Sequence, residues 1–243
     1  MNIIVVKNYN EMSRKAAHLF VGQILQKPDS VLGLATGSTP VGLYKELIKF
    51  YNEGMIDFRN VIAFNLDEYL GLQPDHTQSY AKFMKDNLFE HINLDSGNYH
   101  IPSGTATDFE AECDRYESLI AQAGGIDLQI LGIGRNGHIG FNEPDIKFEA
   151  ITHVVELDDQ TISDNARFFD NIEAVPKKAI SMGIKTIMQS RGIILLASGH
   201  EKAEAVAGMV SGKITPELPA SVLQLHPNVT IIVDEAAASK IKI

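Results

Sequence analysis

A single cysteine, Cys113, stands in a chain of 243 residues. One thiol leaves no internal disulfide framework and no Cys-x-x-Cys metal or redox pair. Cys113 shares a helical stripe with Phe109, Tyr116 and Ile120, which marks it as a packing residue and not a reactive thiol. Positive charge is also scarce: 21 Lys and Arg face 31 Asp and Glu, a formal net charge of −10. The basic footprint that a nucleic-acid partner requires is therefore missing. Long apolar runs are absent as well, and Ile193–Ala197 is far too short to span a bilayer. The opening Met-Asn-Ile-Ile-Val-Val-Lys has no basic region ahead of its short apolar run, so it reads as a strand and not a signal peptide. The expectation is a soluble, cytoplasmic protein with no membrane partner. Its eight histidines show no His-Glu-x-x-His or similar spacing, so no metal is expected.

What is present is a steady alternation. Short apolar runs at Ile3–Val6, Val31–Ala35, Val61–Phe64, Asp127–Ile133, Ile151–Val155, Ala179–Met182, Ile193–Ala197 and Val229–Val233 read as strands. Amphipathic stretches between them read as helices, among them Val41–Phe50, Tyr80–Leu88, Phe109–Ala123 and Lys202–Val210. This pattern predicts an open, mostly parallel doubly wound α/β sheet with helices on both faces. No repeat, low-complexity segment or linker divides the chain, so residues 1–243 are expected to form one domain.

In such sheets the ligand crevice lies beyond the carboxyl ends of the strands. Four polar segments, three of them glycine-bearing, follow strands: Thr36–Pro40, Asn65–Tyr69, Gly134–His138 and Ser198–Lys202. In an acidic chain, an anion site has to be built locally from helix N-termini and a few placed cations. Thr36-Gly37-Ser38-Thr39 supplies hydroxyls and backbone N–H groups, with Thr39 expected as N-cap and Pro40 at the first helical position. It is not a Walker A loop, since the closing Gly-Lys-Ser/Thr is missing. Ser198 and Glu201 match a capping box. Lys202 then falls in a first helical turn, where a cation opposes the helix dipole unless an anion sits there. Arg167 is a weaker candidate for the same anion.

Gly132-Ile-Gly134-Arg-Asn-Gly137 matches the dinucleotide fingerprint, and Glu156 lies about twenty residues on. The fingerprint needs a helix starting at its last glycine. The chain instead continues His138-Ile-Gly-Phe-Asn-Glu-Pro144, without helical period, so no nicotinamide or flavin cofactor is expected. His138 is the side-chain type whose ordinary pKa lies near neutrality. Glu143 and Asn136 flank it and are expected to hold one ring nitrogen, which is the arrangement of a directed proton shuttle. Asp67-Glu68 supplies carboxylates at a neighbouring strand end, and only one of the two is expected to face the crevice.

Ala35-Thr-Gly-Ser-Thr-Pro40, Leu66-Asp-Glu-Tyr69, Gly132–Pro144 and Ser163-Asp-Asn-Ala-Arg-Phe-Phe169 together resemble the glucosamine-6-phosphate deaminases, in order and over essentially the whole chain. The Gly-His-Ile-Gly-Phe-Asn-Glu-Pro run is highly specific for that family. The 6-phosphogluconolactonases share the fold and an Asp-Gly-His segment, but they generally carry Asp-Glu-Arg where this chain has Asp67-Glu68-Tyr69. The resemblance implies a cofactor-free isomerase and hydrolase that turns glucosamine 6-phosphate into fructose 6-phosphate and ammonia. It assigns ring opening to His138 with Glu143 and position 136. Asp67 becomes the base that takes the C2 proton and returns one at C1. Thr36, Gly37, Ser38, Thr39, Arg167 and Lys202 become phosphate contacts.

Two departures from the family pattern stand out. Position 136 is Asn where well-known members have Asp, which leaves Glu143 to carry the electrostatic role. Asp145–Asp159 contains no Arg, unlike the stretch found in allosterically activated members, and the chain ends early at Ile243. No activation by an N-acetylated sugar phosphate is expected, and the family's hexamer is not assured. By analogy, about 151–182 forms a lid over the sugar. The rival readings are a phosphogluconolactonase and a non-catalytic phosphosugar-sensing module.

Overall fold

The computed structural model describes residues 1–169 and 171–241. Among the described residues ten strands form in chain order: β1 (Asn2–Val6), β2 (Val31–Leu34), β3 (Ile62–Asn65), β4 (Asp67–Tyr69), β5 (Tyr99–His100), β6 (Leu128–Leu131), β7 (His153–Glu156), β8 (Lys178–Ser181), β9 (Gly192–Ala197) and β10 (Val229–Asp234). Seven of them build one sheet in the order β1-β10-β9-β6-β2-β3-β5, and every neighbouring pair is parallel. All residues of β2, β6 and β9 are buried. These are the short β-branched and aliphatic runs of strands covered on both faces. Helices surround the sheet, so the doubly wound α/β architecture expected from the sequence is the one observed.

Local sequence explains the covering helices. In Tyr9–Gln26, Asn8 caps the start by accepting the Glu11 N–H at 3.0 Å. Its buried Met12, Ala16, Phe20 and Ile24 recur at helical spacing and seat the helix on the sheet. Phe20 is fully buried, and truncating it to Ala would cost about 3–5 kcal/mol.

The strand order reverses at β2 and β6. From β2 the chain moves outward through β3 to β5, then returns to the other side of β2 and proceeds through β9 to β10. Ligand crevices form at such a reversal, beyond the carboxyl ends of the strands.

Two expected members of the parallel sheet are not in it. The runs at Ile151–Val155 and Ala179–Met182 become β7 and β8, which pair antiparallel with each other and with β4 in a separate three-stranded sheet. Apolar runs specify a strand but not its partner. β7 alternates in exposure, as befits a sheet with one wet face. Asp67–Tyr69 is also a strand and not a loop, with Asp67 opposite Ser181. The expected lid at about 151–182 therefore begins and ends in this small sheet, and residue 170 within it lies outside the described residues, as does Ile243. A second apolar cluster of Tyr69, Phe141, Leu157 and Ala179 seats this layer.

Candidate active site

A crevice of about 570 Å³ lies at the strand reversal. It is lined by Thr36, Gly37, Ser38, Thr39, Asp67, His138, Arg167 and Lys202 among others. Eight of the ten sequence-predicted positions thus face one space. Asn136 and Glu143 are not on its wall but support His138 from behind.

The chemical end is built by the Gly132–Pro144 segment. No helix starts there, in keeping with the rejected dinucleotide reading; the chain turns tightly, with Gly137 N–H donating to Gly134 O at 3.1 Å. A Cβ on Gly134 would stand 2.4 Å from His138 Nδ1, so glycine is what lets the imidazole fold over that backbone. The segment is then tied to the small sheet. Phe141 N–H donates to Ser181 Oγ at 3.0 Å, and the Asn142 amide donates to Ile139 O at 2.8 Å and Met182 O at 2.9 Å. Phe141 packs on Tyr69 and stacks on Tyr80.

His138 Nδ1 lies 3.2 Å from Glu143 Oε2 and 3.3 Å from Thr161 Oγ1. Burial pushes the Glu143 pKa up, but its bonds to His138, Thr161 and Asn136 and the His138 charge outweigh this and hold it below the ordinary value. Glu143 is therefore an anion set against one ring nitrogen. Such a contact fixes the tautomer and leaves the other nitrogen for a ligand. Asn136 does not touch the ring, contrary to expectation. Its Nδ2 donates to Glu143 Oε2 at 2.9 Å, and its Oδ1 accepts the His138 backbone N–H at 3.2 Å. The tight turn curls position 136 back on its own loop, so the amide orients the carboxylate and not the imidazole.

Asp67 is buried on the crevice wall, and its pKa rises to about 8 through burial first and then the Glu68 charge. Gly140, at φ +59°, lies close by: a Cβ there would meet Ser181 Oγ at 3.1 Å and Asp67 Oδ2 at 3.6 Å. The base candidate and the histidine loop thus share one corner. Glu68 faces away, as strand alternation requires. Its carboxylate accepts the N–H groups of Tyr69, Tyr80 and Ala81 at 2.8–2.9 Å.

The Thr36–Thr39 loop lines the same crevice. Gly37 takes φ +87°, a conformation that suits glycine and brings backbone toward a ligand. The helix here is Val41–Asn52 with Pro40 in the cap position, and Thr39 makes no capping bond. The N–H of Gly42 that Thr39 would have capped is taken by Tyr9 Oη at 2.8 Å, while Tyr9 donates to Ser38 O at 3.0 Å. The Ser198–Glu201 capping box does not form either. Ser198 Oγ donates to Asp234 Oδ2 at 2.5 Å, and a 3₁₀ turn at His200–Lys202 precedes the helix Ala203–Ser211. A neighbouring strand end supplied a stronger acceptor than the box itself. Burial lowers the Lys202 pKa; Asp164 and Glu201 oppose this, while Arg135 and Arg167 add to it.

Tyr9, Tyr80, Arg135, Thr161, Asp164 and Glu201 also line the crevice. Arg135 sat inside a strand-end segment already singled out, so its position was a readable signal. Thr161 and Asp164 lie one helical turn apart ahead of Arg167, which is legible only in retrospect.

An open parallel sheet whose switch-point crevice gathers a glycine loop, Arg167, Lys202, buried Asp67 and His138 defines a doubly wound α/β protein. The chain belongs to the family of glucosamine-6-phosphate isomerases and 6-phosphogluconolactonases, whose model matches residues 8–232. It is 59% identical over 241 residues to a glucosamine-6-phosphate deaminase of Clostridioides difficile, covering 99% of this chain and 97% of that protein. The solved structure of a monomeric glucosamine-6-phosphate deaminase superposes with a TM-score of 0.97 at 49% identity, covering 99% of this chain and all of the other. A 6-phosphogluconolactonase from Trypanosoma cruzi superposes at 0.79 with 22% identity, over all of this chain and 97% of that one; that likeness concerns the fold alone.

Proposed function

We propose that this chain is a glucosamine-6-phosphate deaminase, converting D-glucosamine 6-phosphate and water into D-fructose 6-phosphate and ammonia. The observation that carries the reading is the placing of buried Asp67 and the Glu143-held His138 in one crevice with Arg167 and Lys202. The names and near-complete overlap of the relatives support the same activity.

In this reading the phosphate lies against Thr36–Thr39, Arg167 and Lys202, and the sugar extends toward His138. His138 moves the proton between ring oxygen and anomeric hydroxyl that opens the pyranose. Asp67 removes the C2 proton of the open-chain aldehyde, giving an enolic amine, and delivers a proton to C1. The resulting C2 iminium adds water and expels ammonia, leaving the ketone. Water is consumed in that last step, which is the sense in which the isomerase is also a hydrolase. The sugar phosphate is the partner, and the net charge of −10 argues against nucleic acid. Among the described residues no helix is long and apolar enough to cross a membrane, which is compatible with work in the cytoplasm. The segment 151–182 acts as a lid, and a monomeric relative supports function without a hexamer.

The test is direct. Purified protein is incubated with glucosamine 6-phosphate, and ammonia and fructose 6-phosphate are followed together. Equimolar release of both is expected; binding without turnover, or hydrolysis of 6-phosphogluconolactone instead, rejects the proposal.

A further inference from the structure

The crevice holds a third positive side chain besides Arg167 and Lys202. Arg135 sits in the turn after β6, three residues before His138, and it lines the same crevice. Its Nη1 donates to Asp164 Oδ1 at 3.1 Å. Asp164 comes from the helix Asp159–Asn165, so the pair joins the loop of the main sheet to the segment above it.

We propose that Arg135 is an additional contact for the substrate's phosphate, and that Asp164 is its internal competitor, a carboxylate that holds the guanidinium until phosphate displaces it. This rests on reading the crevice as a phosphosugar site. Three observations carry it. The pair is weak by construction: one N–H···O contact, with Arg135 48% and Asp164 33% exposed. A half-exposed single contact contributes little, whereas a phosphate can engage the guanidinium fork with two parallel bonds. Asp164 also keeps a partner of its own, because the same Oδ1 accepts Gln160 Nε2 at 2.9 Å. Releasing Arg135 therefore strands no carboxylate.

The neighbourhood points the same way. Lys202 interacts electrostatically with Asp164, Glu201, Arg135 and Arg167, so the Arg135–Asp164 pair lies within reach of both cations assigned to the phosphate. A phosphate held there therefore competes with Asp164 for the same guanidinium.

The test is a double-mutant cycle on orthophosphate binding, measured by calorimetry at low ionic strength on wild type, Arg135→Gln, Asp164→Asn and the double variant, each confirmed folded by circular dichroism. Arg135→Gln is expected to weaken orthophosphate about tenfold, with KM for glucosamine 6-phosphate rising alongside. Asp164→Asn is expected to tighten it about three- to tenfold, and that gain should shrink below twofold in the Arg135→Gln background. A merely structural pair would show loss, not gain, on removing Asp164. Unchanged affinity in Arg135→Gln, weaker binding in Asp164→Asn, a gain that persists without Arg135, or no orthophosphate binding by wild type would each overturn the proposal. Because binding is read without turnover, wild type that shows this cycle but releases no ammonia would sink the assigned reaction while leaving this inference standing.

Discussion

Asp67 and Glu68 adjoin on β4, yet Glu68 is bonded to three backbone N–H groups at the start of the helix Tyr80–Asn87 and in its own strand, while Asp67 lies on the crevice wall. One carboxylate is spent on architecture, and its charge helps to raise the pKa of the other to about 8. An isolated buried carboxyl resists ionising. A cationic amino sugar entering beside it favours the ionised form, the state able to take a proton from carbon.

Replacing Asp67 by Asn should therefore abolish solvent-deuterium exchange at C2 and lower ammonia release by about 10²–10⁴-fold, with sugar binding largely kept. Proton NMR of recovered glucosamine 6-phosphate in D₂O reads the exchange. Persistent exchange in the variant would move the base to another residue.

The raised pKa also fixes a pH dependence. The ionised form is the base, so kcat/KM should climb as pH rises through about 8, because that ratio reports the free enzyme. The stability consequence has the opposite sign. A carboxyl whose folded pKa lies above its unfolded value stabilises fully below the unfolded value, near 3.8, and that contribution is lost as pH rises toward about 8. Asp67→Asn should accordingly melt several degrees above wild type at pH 8, with the gap closing near pH 4. Scanning calorimetry at both pH values decides it, and equal Tm values at pH 8 would contradict the buried-acid account.

Lys202→Met should raise KM for the phosphorylated sugar about tenfold, on the scale of one charged hydrogen bond. Stability should hold or improve, since burial already disfavours the Lys202 charge. Steady-state kinetics with urea unfolding separates the two effects. An unchanged KM would make Lys202 an onlooker.

Glu68→Ala should cost about 3 kcal/mol or more, because it orphans the N–H groups of Tyr69, Tyr80 and Ala81 around a residue only 3% exposed. Glu68→Gln keeps one acceptor and should fall between. Urea unfolding measures both, and a loss under about 1 kcal/mol for the alanine variant would remove Glu68 from its anchoring role.

Sequence alone determined the parallel core and the strand ends that carry chemistry. β2, β6, β9 and β10 are short, dense runs of buried aliphatic residues, and burial on both faces leaves them little freedom to be anything else. The glycines of Gly132–Gly140 were equally legible, because without a side chain they mark where backbone must turn or another group must approach.

Tertiary structure decided the pairings between segments distant in the chain. β7 and β8 left the parallel sheet for β4, Tyr9 took the N–H that Thr39 was expected to satisfy, Asp234 took the Ser198 hydroxyl itself, and Asn136 turned to Glu143 and away from the imidazole. Each outcome is a competition for a hydrogen-bond partner, settled by which group the fold brings within about 3 Å. Periodicity records which face of an element is buried, but not what waits on the other side.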